Sequence, residues 1–222
     1  QLKKGVILIP AFAVGRAQSL MHCLAELKKS GRIPDIPIYL NSPMAINVTN
    51  LFDKFKSLHK LSALQCKELG EAVQYIKTVE ESKALNEKTT PMIIISASGM
   101  ATGGRIIHHL KAFVSKPTTT VILAGFQAAG TRGRALQDGA KEIKIHREMI
   151  PVLASVKVLK NISAHADYSE ILDWMAQSKI TPRKVFITHG EPDAADKMKE
   201  HVTERFKWHC EVPKQNQEFI LD

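Results

Sequence analysis

The fold of this chain is decided by the stretch at residues 92–113, MIIISASGMATGGRIIHHLKAF. Met92 to Ile95 form a short apolar run, which is typical of a buried strand. Gly103 and Gly104 then lead into a helical pattern through Leu110 and Phe113. A strand, a turn of small residues and a helix form the repeating unit of parallel sheets, so the stretch predicts an α/β fold.

The same alternation occurs on both sides of this stretch. Val6 to Pro10 and Ile38 to Leu40 read as strands, and a helical pattern between them is closed by Gly31. Ser42-Pro43 is typical of a helix start, with an N-cap followed by proline at the first helical position. Val121 to Gly125 is a further strand. The sequence therefore predicts a doubly wound, mostly parallel sheet.

The pattern changes from about Glu142, where apolar and polar residues alternate. Alternation at 143–146 and 152–158 predicts an antiparallel hairpin around Arg147 to Pro151. The following elements are predicted to be a helix from Tyr168, a strand at 184–188, a helix at 193–206 and a final strand at 219–221. We place a domain boundary between 146 and 162 and predict two domains, 1–150 and 151–222.

Composition limits the classes of protein to consider. The 222 residues carry 31 Lys and Arg against 22 Asp and Glu, a net charge of +9, which favours a polyanionic partner over other ligands but also fits a basic surface kept for solubility. Cys23, Cys66 and Cys210 are too few and too widely spaced for a disulfide framework or a thiolate zinc site. They favour a cytoplasmic protein, and no apolar run reaches membrane-spanning length.

Two histidines lie where strand-like runs end. His165 belongs to ISAHADY at 162–168, and His189 belongs to VFITHGE at 185–191. Residues at strand ends face solvent or substrate more often than the core. Because a neutral imidazole can bind a metal or carry a proton, the pair suits metal-assisted hydrolysis, although two unrelated histidines would look the same.

Small and basic residues also follow the strands. Ser96 to Gly99 and Gly130 to Arg134 both follow an apolar run, and Arg16 lies just past the first strand. Serine-capped turns and solvated basic loops are the simpler interpretations. In doubly wound sheets, however, the carboxyl ends of the strands form one edge where ligands bind. We expect these residues to meet there as a phosphate site.

Five blocks in this order resemble the β-CASP group of metallo-β-lactamase nucleases, and they cover nearly the whole chain: Ile9–Gln18, Ser96–Arg105, Gly125–Arg134, Ile162–Tyr168 and Val185–Glu191. The last two match the second and third signature motifs of the group. The resemblance implies a β-CASP RNA-binding insert at 1–150 and the C-terminal part of a metallo-β-lactamase αββα domain at 151–222. It further implies a zinc-dependent ribonuclease that acts in RNA processing or degradation, with endonuclease and exonuclease action both open.

The resemblance also assigns roles to residues. His189 becomes a zinc ligand and His165 the general acid. Single-stranded RNA phosphates would be held by Arg16, Ser96, Ser98, Gly99, Thr131, Arg132 and Arg134. Asp167 could orient His165, but its spacing to Glu170 favours a capping box. Glu191 could support His189 or be an exposed charge. With aromatic residues at 6%, we expect contacts to the RNA backbone and little base stacking.

The H-x-H-x-D-H motif that supplies most ligands of the two-zinc site in this group does not occur among the nine histidines. The chain opens at Gln1, and we interpret it as the C-terminal portion of a larger enzyme. Alone, it should bind zinc poorly and lack nuclease activity; a homo-oligomer is compatible with the sequence.

One alternative is a non-catalytic RNA-binding or scaffold homologue. The presence of both His165 and His189 argues against this alternative. A dinucleotide-binding module is disfavoured, because no G-x-G-x-x-G follows the first strand. His108, His109 and His201 are most simply surface or half-buried residues.

Overall fold

A computed structural model describes residues 5–159, 162 and 165–221, so Gln1 and two residues of the ISAHADY motif, Ser163 and Ala164, lie outside the described residues. The chain divides into two compact units, Gln1–Ser163 and Ala164–Asp222. The first unit therefore continues past residue 150. The domain boundary at 150/151 stays a prediction. Among the helices that the structure describes, none is both long enough and apolar enough to cross a membrane.

Strands and helices alternate along the chain. The strands are β1 (Val6–Pro10), β2 (Ile38–Leu40), β3 (Gln74–Tyr75), β4 (Met92–Ser96), β5 (Thr120–Ala124), β6 (Glu142–Ile145), β7 (Glu148–Pro151), β8 (Ser155–Leu159), β9 (Val185–Phe186) and β10 (Cys210–Glu211). The helices are α1 (Arg16–Lys29), α2 (Pro43–Lys54), α3 (Ala63–Glu71), α4 (Val79–Glu87), α5 (Arg105–Phe113), α6 (Arg132–Gln137), α7 (Tyr168–Met175) and α8 (Pro192–Phe206), with a 3-10 turn at Lys56–Leu58. The predicted N-cap is confirmed, since the Ser42 side chain accepts a hydrogen bond from the Ala45 amide.

A six-stranded sheet organises the first unit. Its order is β3-β2-β4-β1-β5-β8, and all neighbouring strands in it are parallel. The central strands are buried on both faces because their side chains alternate between two cores. Leu8 and Ile94 point into one core, and their neighbours Ile9 and Ile95 point into the other. The prediction of a doubly wound parallel sheet is confirmed.

The helices divide between the two faces. Residues of α1, α2 and α3 pack in the core that contains Ile9 and Ile95, whereas residues of α4, α5 and α6 pack in the core that contains Leu8 and Ile94. The helix after β1 thus covers one face, and the helices after β4 and β5 cover the other. At such a reversal the loops at the carboxyl ends of adjacent strands separate into a crevice, the usual ligand site of this fold class.

The predicted hairpin is present, but its bounds were wrong. β6 and β7 pair antiparallel and turn at His146 and Arg147, both with positive φ of 48° and 71°. The segment predicted as the second hairpin arm contains β8, which instead pairs parallel to β5 at the sheet edge. Its alternating side chains suit either arrangement, so the pattern could not choose the partner.

The second unit contains α7, β9, α8 and β10 around a small core with Leu172, Val202 and Cys210. The predicted strand at 184–188 and helix at 193–206 correspond to β9 and α8. The predicted strand at 219–221 was wrong. The strand that pairs with β9 is β10, in parallel register, and residues 219–221 are irregular.

Candidate functional site

Three loops of the first unit meet at the carboxyl ends of β1, β4 and β5. We call this region the carboxyl edge and define it by residues 11–16, 97–104 and 125–134. The Ala11 amide donates to the Ser96 carbonyl at 3.0 Å. The Phe12 ring packs on Gly99, and the Gln127 amide donates to the Gly99 carbonyl at 3.2 Å. The predicted convergence of these segments is therefore present in the fold.

The loop between β4 and α5 is held by its own polar groups. The Ser98 hydroxyl accepts hydrogen bonds from the amides of Thr102 and Gly103 at 3.0 and 3.2 Å. Gly104 has φ of 73°, and a Cβ there would overlap the Ala97 carbonyl oxygen, so only glycine fits. Within the described ranges, the amides of Gly99, Met100 and Gly104 donate to no acceptor. Free amides in a glycine-bearing turn suit an anion.

Ser96 lies beneath this loop. Its side chain is 1% exposed, and its hydroxyl donates to the Asn41 carbonyl at 2.8 Å. Ser96 therefore supports the loop from below. A phosphate at the surface cannot reach a buried hydroxyl that already has an acceptor.

A buried polar network that was not predicted from the sequence lies below the carboxyl edge. Arg105 Nη1 donates to Asn41 Oδ1 at 2.8 Å, which fixes the orientation of the Asn41 amide. Asn41 Nδ2 then faces His109 Nε2 at 2.6 Å, so that ring nitrogen must accept. His109 Nδ1 accordingly donates to Asn86 Oδ1 at 2.6 Å. Asn41 follows β2 directly, and a polar residue at the end of a buried strand was the signal available.

His109 is fully buried, so the prediction that it lies at the surface or half-buried was wrong. It occupies α5 on the face turned to the sheet, whereas its neighbour His108 is exposed. Burial lowers the pKa of His109 to about 4, with smaller contributions from His108 and Arg105. The imidazole is therefore neutral at physiological pH, as its role as acceptor for the Asn41 amide requires.

A second set of contacts ties the loop after β5 to the loop after β4. The Gly133 amide donates to the Met100 carbonyl at 2.9 Å. Gln127 is 1% exposed, and a Cβ on Gly133 would overlap its Oε1 atom. Thr131 caps α6 by accepting from the Arg134 amide, and its hydroxyl donates to Ala128. Both loops are thus held in one conformation.

The three predicted arginines differ in their surroundings. Arg132 donates to the carbonyls of Lys144 and Ala101, and so joins the β6–β7 hairpin to the edge. Arg134 pairs with Asp138 one turn along α6, at 3.0 and 2.8 Å. Arg16 is half-buried, and among described residues no hydrogen bond or ion pair engages its guanidinium. Its Nη2 atom lies 3.8 Å from the position of a Cβ on Gly125. Arg16 is thus the arginine available to a ligand at the edge.

His165, the predicted general acid, and His189, the predicted zinc ligand, lie in the second unit, and both are exposed. His165 precedes α7, and His189 follows β9 with φ of 66°. The predicted capping box of α7 is confirmed: Asp167 Oδ1 accepts from the Glu170 amide, and Glu170 Oε2 accepts from the Asp167 amide, each at 2.9 Å. Glu191 is the N-cap residue of α8 but makes no side-chain cap.

A bound metal ion requires several donor side chains at one place. Among residues 5–159, 162 and 165–221, no three His, Cys, Asp or Glu side chains converge in a way that could hold a metal ion. A catalytic zinc needs about three protein ligands. The described side chains therefore do not by themselves form a zinc site.

Two family models match the chain. A Beta-Casp domain model matches residues 17–136, and a model described as Zn-dependent metallo-hydrolase RNA specificity domain matches residues 149–213. The first covers β2 to β5 of the first unit and the carboxyl-edge loops at 97–104 and 125–134, and it ends within α6. Strands β1 and β8 and residues 11–16 lie outside it. The second begins within β7 and includes both histidine segments.

Several curated proteins are similar to the chain. Ribonuclease TTHA0252 of Thermus thermophilus is 37% identical over 195 residues, which are 85% of this chain and 44% of that protein. Transcription termination factor FttA of Methanosarcina mazei is 31% identical over 214 residues, 91% of this chain and 34% of that protein. An RNase J-like protein of Methanocaldococcus jannaschii is 33% identical over 192 residues, 84% of this chain and 43% of that protein. The chain thus spans less than half the length of these relatives.

Proposed function

Since the chain belongs to the β-CASP family of metallo-β-lactamase-fold RNA nucleases, we propose that it supplies the RNA-binding edge and part of the active site of a cytoplasmic, zinc-dependent ribonuclease. The proposal rests on one observation above all, the convergence of three loops and an unengaged arginine at the carboxyl edge. Both the net charge of +9 and the family support single-stranded RNA as the ligand.

The proposed phosphate contacts are graded by availability. Arg16 and the free amides of Met100 and Gly104 contact RNA phosphates directly, whereas Gly99 is buried under the Phe12 ring. Ser98, Thr131 and Arg134 lie beside them, whereas Ser96 and Arg132 hold the loops through their contacts to Asn41 and to the hairpin. Such contacts are independent of base identity, so they set affinity and position rather than sequence preference.

The proposed chemistry belongs to the two exposed histidines. His189 would contribute one zinc ligand in a protein that carries the remaining ligands, and zinc bound there would supply activated hydroxide and charge neutralisation. His165 donates a proton to the departing 3′ oxygen of the cleaved phosphodiester. Asp167 acts mainly as the cap of α7, because one of its carboxylate oxygens already accepts the Glu170 amide. An orienting role for Asp167 and a supporting role for Glu191 are secondary parts of the proposal.

RNA binding by this chain tests the phosphate contacts. Affinity for an unstructured RNA should fall steeply with salt, since phosphate contacts release counterions. Arg16→Ala should weaken binding and reduce the salt slope by about one ion, and Arg134→Ala should have a smaller effect because Asp138 already pairs with it. Arg32→Ala is the matched control, since Arg32 is exposed beyond the far end of the 14-residue α1. Equal losses in all three variants, or binding that ignores salt, would contradict the proposal.

Catalysis is tested in a protein that contains this chain together with the remaining zinc ligands. His189→Ala should lower zinc content and rate together. His165→Ala should keep the zinc and lower the rate by about 10²- to 10⁴-fold, the usual contribution of a general acid. A substrate with a 3′-bridging phosphorothiolate needs little leaving-group protonation and should recover most of that loss. If wild type and His165→Ala show the same rate ratio for the two substrates, His165 is not the acid.

A second candidate is RNA binding without cleavage. The carboxyl edge is formed by residues of the first unit, whereas His165 and His189 belong to the second unit. Relatives named transcription termination factor match up to 94% of the chain, so a role on RNA other than degradation fits the same family. Intact RNA after incubation with a zinc-loaded protein that contains this chain would favour this candidate.

A further inference from the structure

Two aromatic side chains are exposed on the carboxyl edge. Phe12 follows β1 and is 47% exposed, and Phe126 follows β5 and is 61% exposed. Neither belongs to the buried clusters of the described chain. Exposed phenylalanine is costly to hydrate, and here two lie on loops that meet beside an unengaged arginine.

Phe12 is held in place by the loop after β4. Its Cδ2 and Cε2 atoms lie 2.7 and 2.9 Å from the position of a Cβ on Gly99. Glycine at this position lets one side of the ring pack on backbone, while about half of the residue stays open to solvent. A ring that is already fixed loses little entropy when a ligand stacks on it.

Phe126 is positioned by the residues on either side. Gly125 lies beside the Arg16 guanidinium, and the buried Gln127 donates to the carbonyls of Gly99 and Gly125 at 3.2 and 3.3 Å. The backbone of Phe126 is thus anchored next to the proposed phosphate contacts. Its side chain is exposed and therefore available to a ligand.

We propose that Phe12 and Phe126 stack on unpaired nucleobases and make this edge selective for single-stranded over duplex RNA. This inference rests on the proposed RNA-binding function and adds base contacts to it. Each nucleobase has an aromatic face that is accessible only when the base is unpaired, so stacking selects single strands without reading sequence. The low aromatic content had suggested little base stacking, but content does not tell where aromatic residues lie.

The test compares an unstructured RNA with the same sugar-phosphate backbone lacking its bases. Wild-type chain should bind the intact RNA more tightly by about 5- to 150-fold for each stacked base. Phe12→Leu and Phe126→Leu should weaken binding of intact RNA and leave binding of the abasic strand unchanged. Emission of a 2-aminopurine in the RNA should be quenched by wild type and less by the variants.

Phe55→Leu is the matched control. Phe55 is 47% exposed, like Phe12, but it follows the last turn of α2 and does not belong to the carboxyl edge. It should leave both affinities unchanged.

The comparison of intact and abasic strands uses only the wild-type chain. It therefore tests base stacking even if a variant folds poorly. Equal, salt-sensitive affinity for the intact and abasic strands would overturn stacking and leave the phosphate contacts intact. No binding of either strand would overturn both proposals.

Discussion

Lowering the pH from 7 to 5 should destabilise the first unit through a single buried side chain, His109. Its neutral ring accepts a hydrogen bond from Asn41 and donates one to Asn86, and burial holds its pKa at about 4, below the usual 6.5. Protonation would place an N–H against the Asn41 amide donor in a site without water access. The group therefore contributes its full stability above about pH 6.5 and loses it as pH falls toward 4.

The magnitude follows from proton linkage. A group that titrates at 6.5 in the unfolded chain and at about 4 in the native protein changes the free energy of unfolding by about 2 kcal/mol between pH 7 and 5, and by about 3 kcal/mol by pH 4. Carboxylates contribute little to the change in the free energy of unfolding between pH 7 and 5. Those with a resolved shift, such as Glu81 and Glu148, have a pKa below 4.5 and lose their contribution only at lower pH.

Urea unfolding at pH 7, 6 and 5, followed by far-UV circular dichroism, measures the effect. His109→Gln keeps a donor and an acceptor but cannot titrate, so it should be less stable at pH 7 by about 1–3 kcal/mol and show a flatter pH dependence. His108→Gln is the control. His108 is exposed and its pKa is lowered mainly by partial burial, so its removal should change the slope less. Equal slopes in wild type and His109→Gln would refute the reasoning.

Two further predictions concern the loops and the second unit. Gly133→Ala should lower the free energy of unfolding by about 1–3 kcal/mol, because its Cβ overlaps the buried Gln127 side chain. Gly103→Ala, where a Cβ meets nothing within 4 Å, should change it by less than about 0.5 kcal/mol, and equal losses in thermal unfolding would contradict this account. Asp167→Ala should cost about 1 kcal/mol through loss of the α7 cap, while Asp167→Asn keeps an acceptor and should cost much less. Trp174 lies in α7, so its fluorescence during urea unfolding reports this difference, and identical midpoints would count against the capping role.

The local elements near the carboxyl edge were predictable from sequence. Met92 to Ile95 of β4 form an unbroken apolar run that is buried on both faces, and the turn after β4 needs glycine at 104, where φ is 73°. The capping box at Asp167 and Glu170 likewise depends on residues three apart. In each case the deciding interactions lie within a few positions along the chain, so a local pattern contains them.

The contacts of the site residues were less predictable from the sequence. The pair Arg134–Asp138 follows from helical spacing once α6 is known, so this contact could have been anticipated. The bond from Arg132 to the Lys144 carbonyl could not, because it depends on where the hairpin folds back. The same holds for Arg16, whose availability became clear only when its neighbours were in place.

The sequence by itself determined the alternation of strands and helices, the family, and the residues that gather at the ends of β1, β4 and β5. Only the tertiary structure decided that β8 pairs with β5, that His109 is buried against Asn41, and that Phe12 lies exposed on Gly99. The physical reason is how far apart along the chain the interacting groups lie. Backbone preferences and caps depend on near neighbours, whereas a strand's partner and a side chain's exposure are set by groups distant along the chain, which only the folded packing brings together.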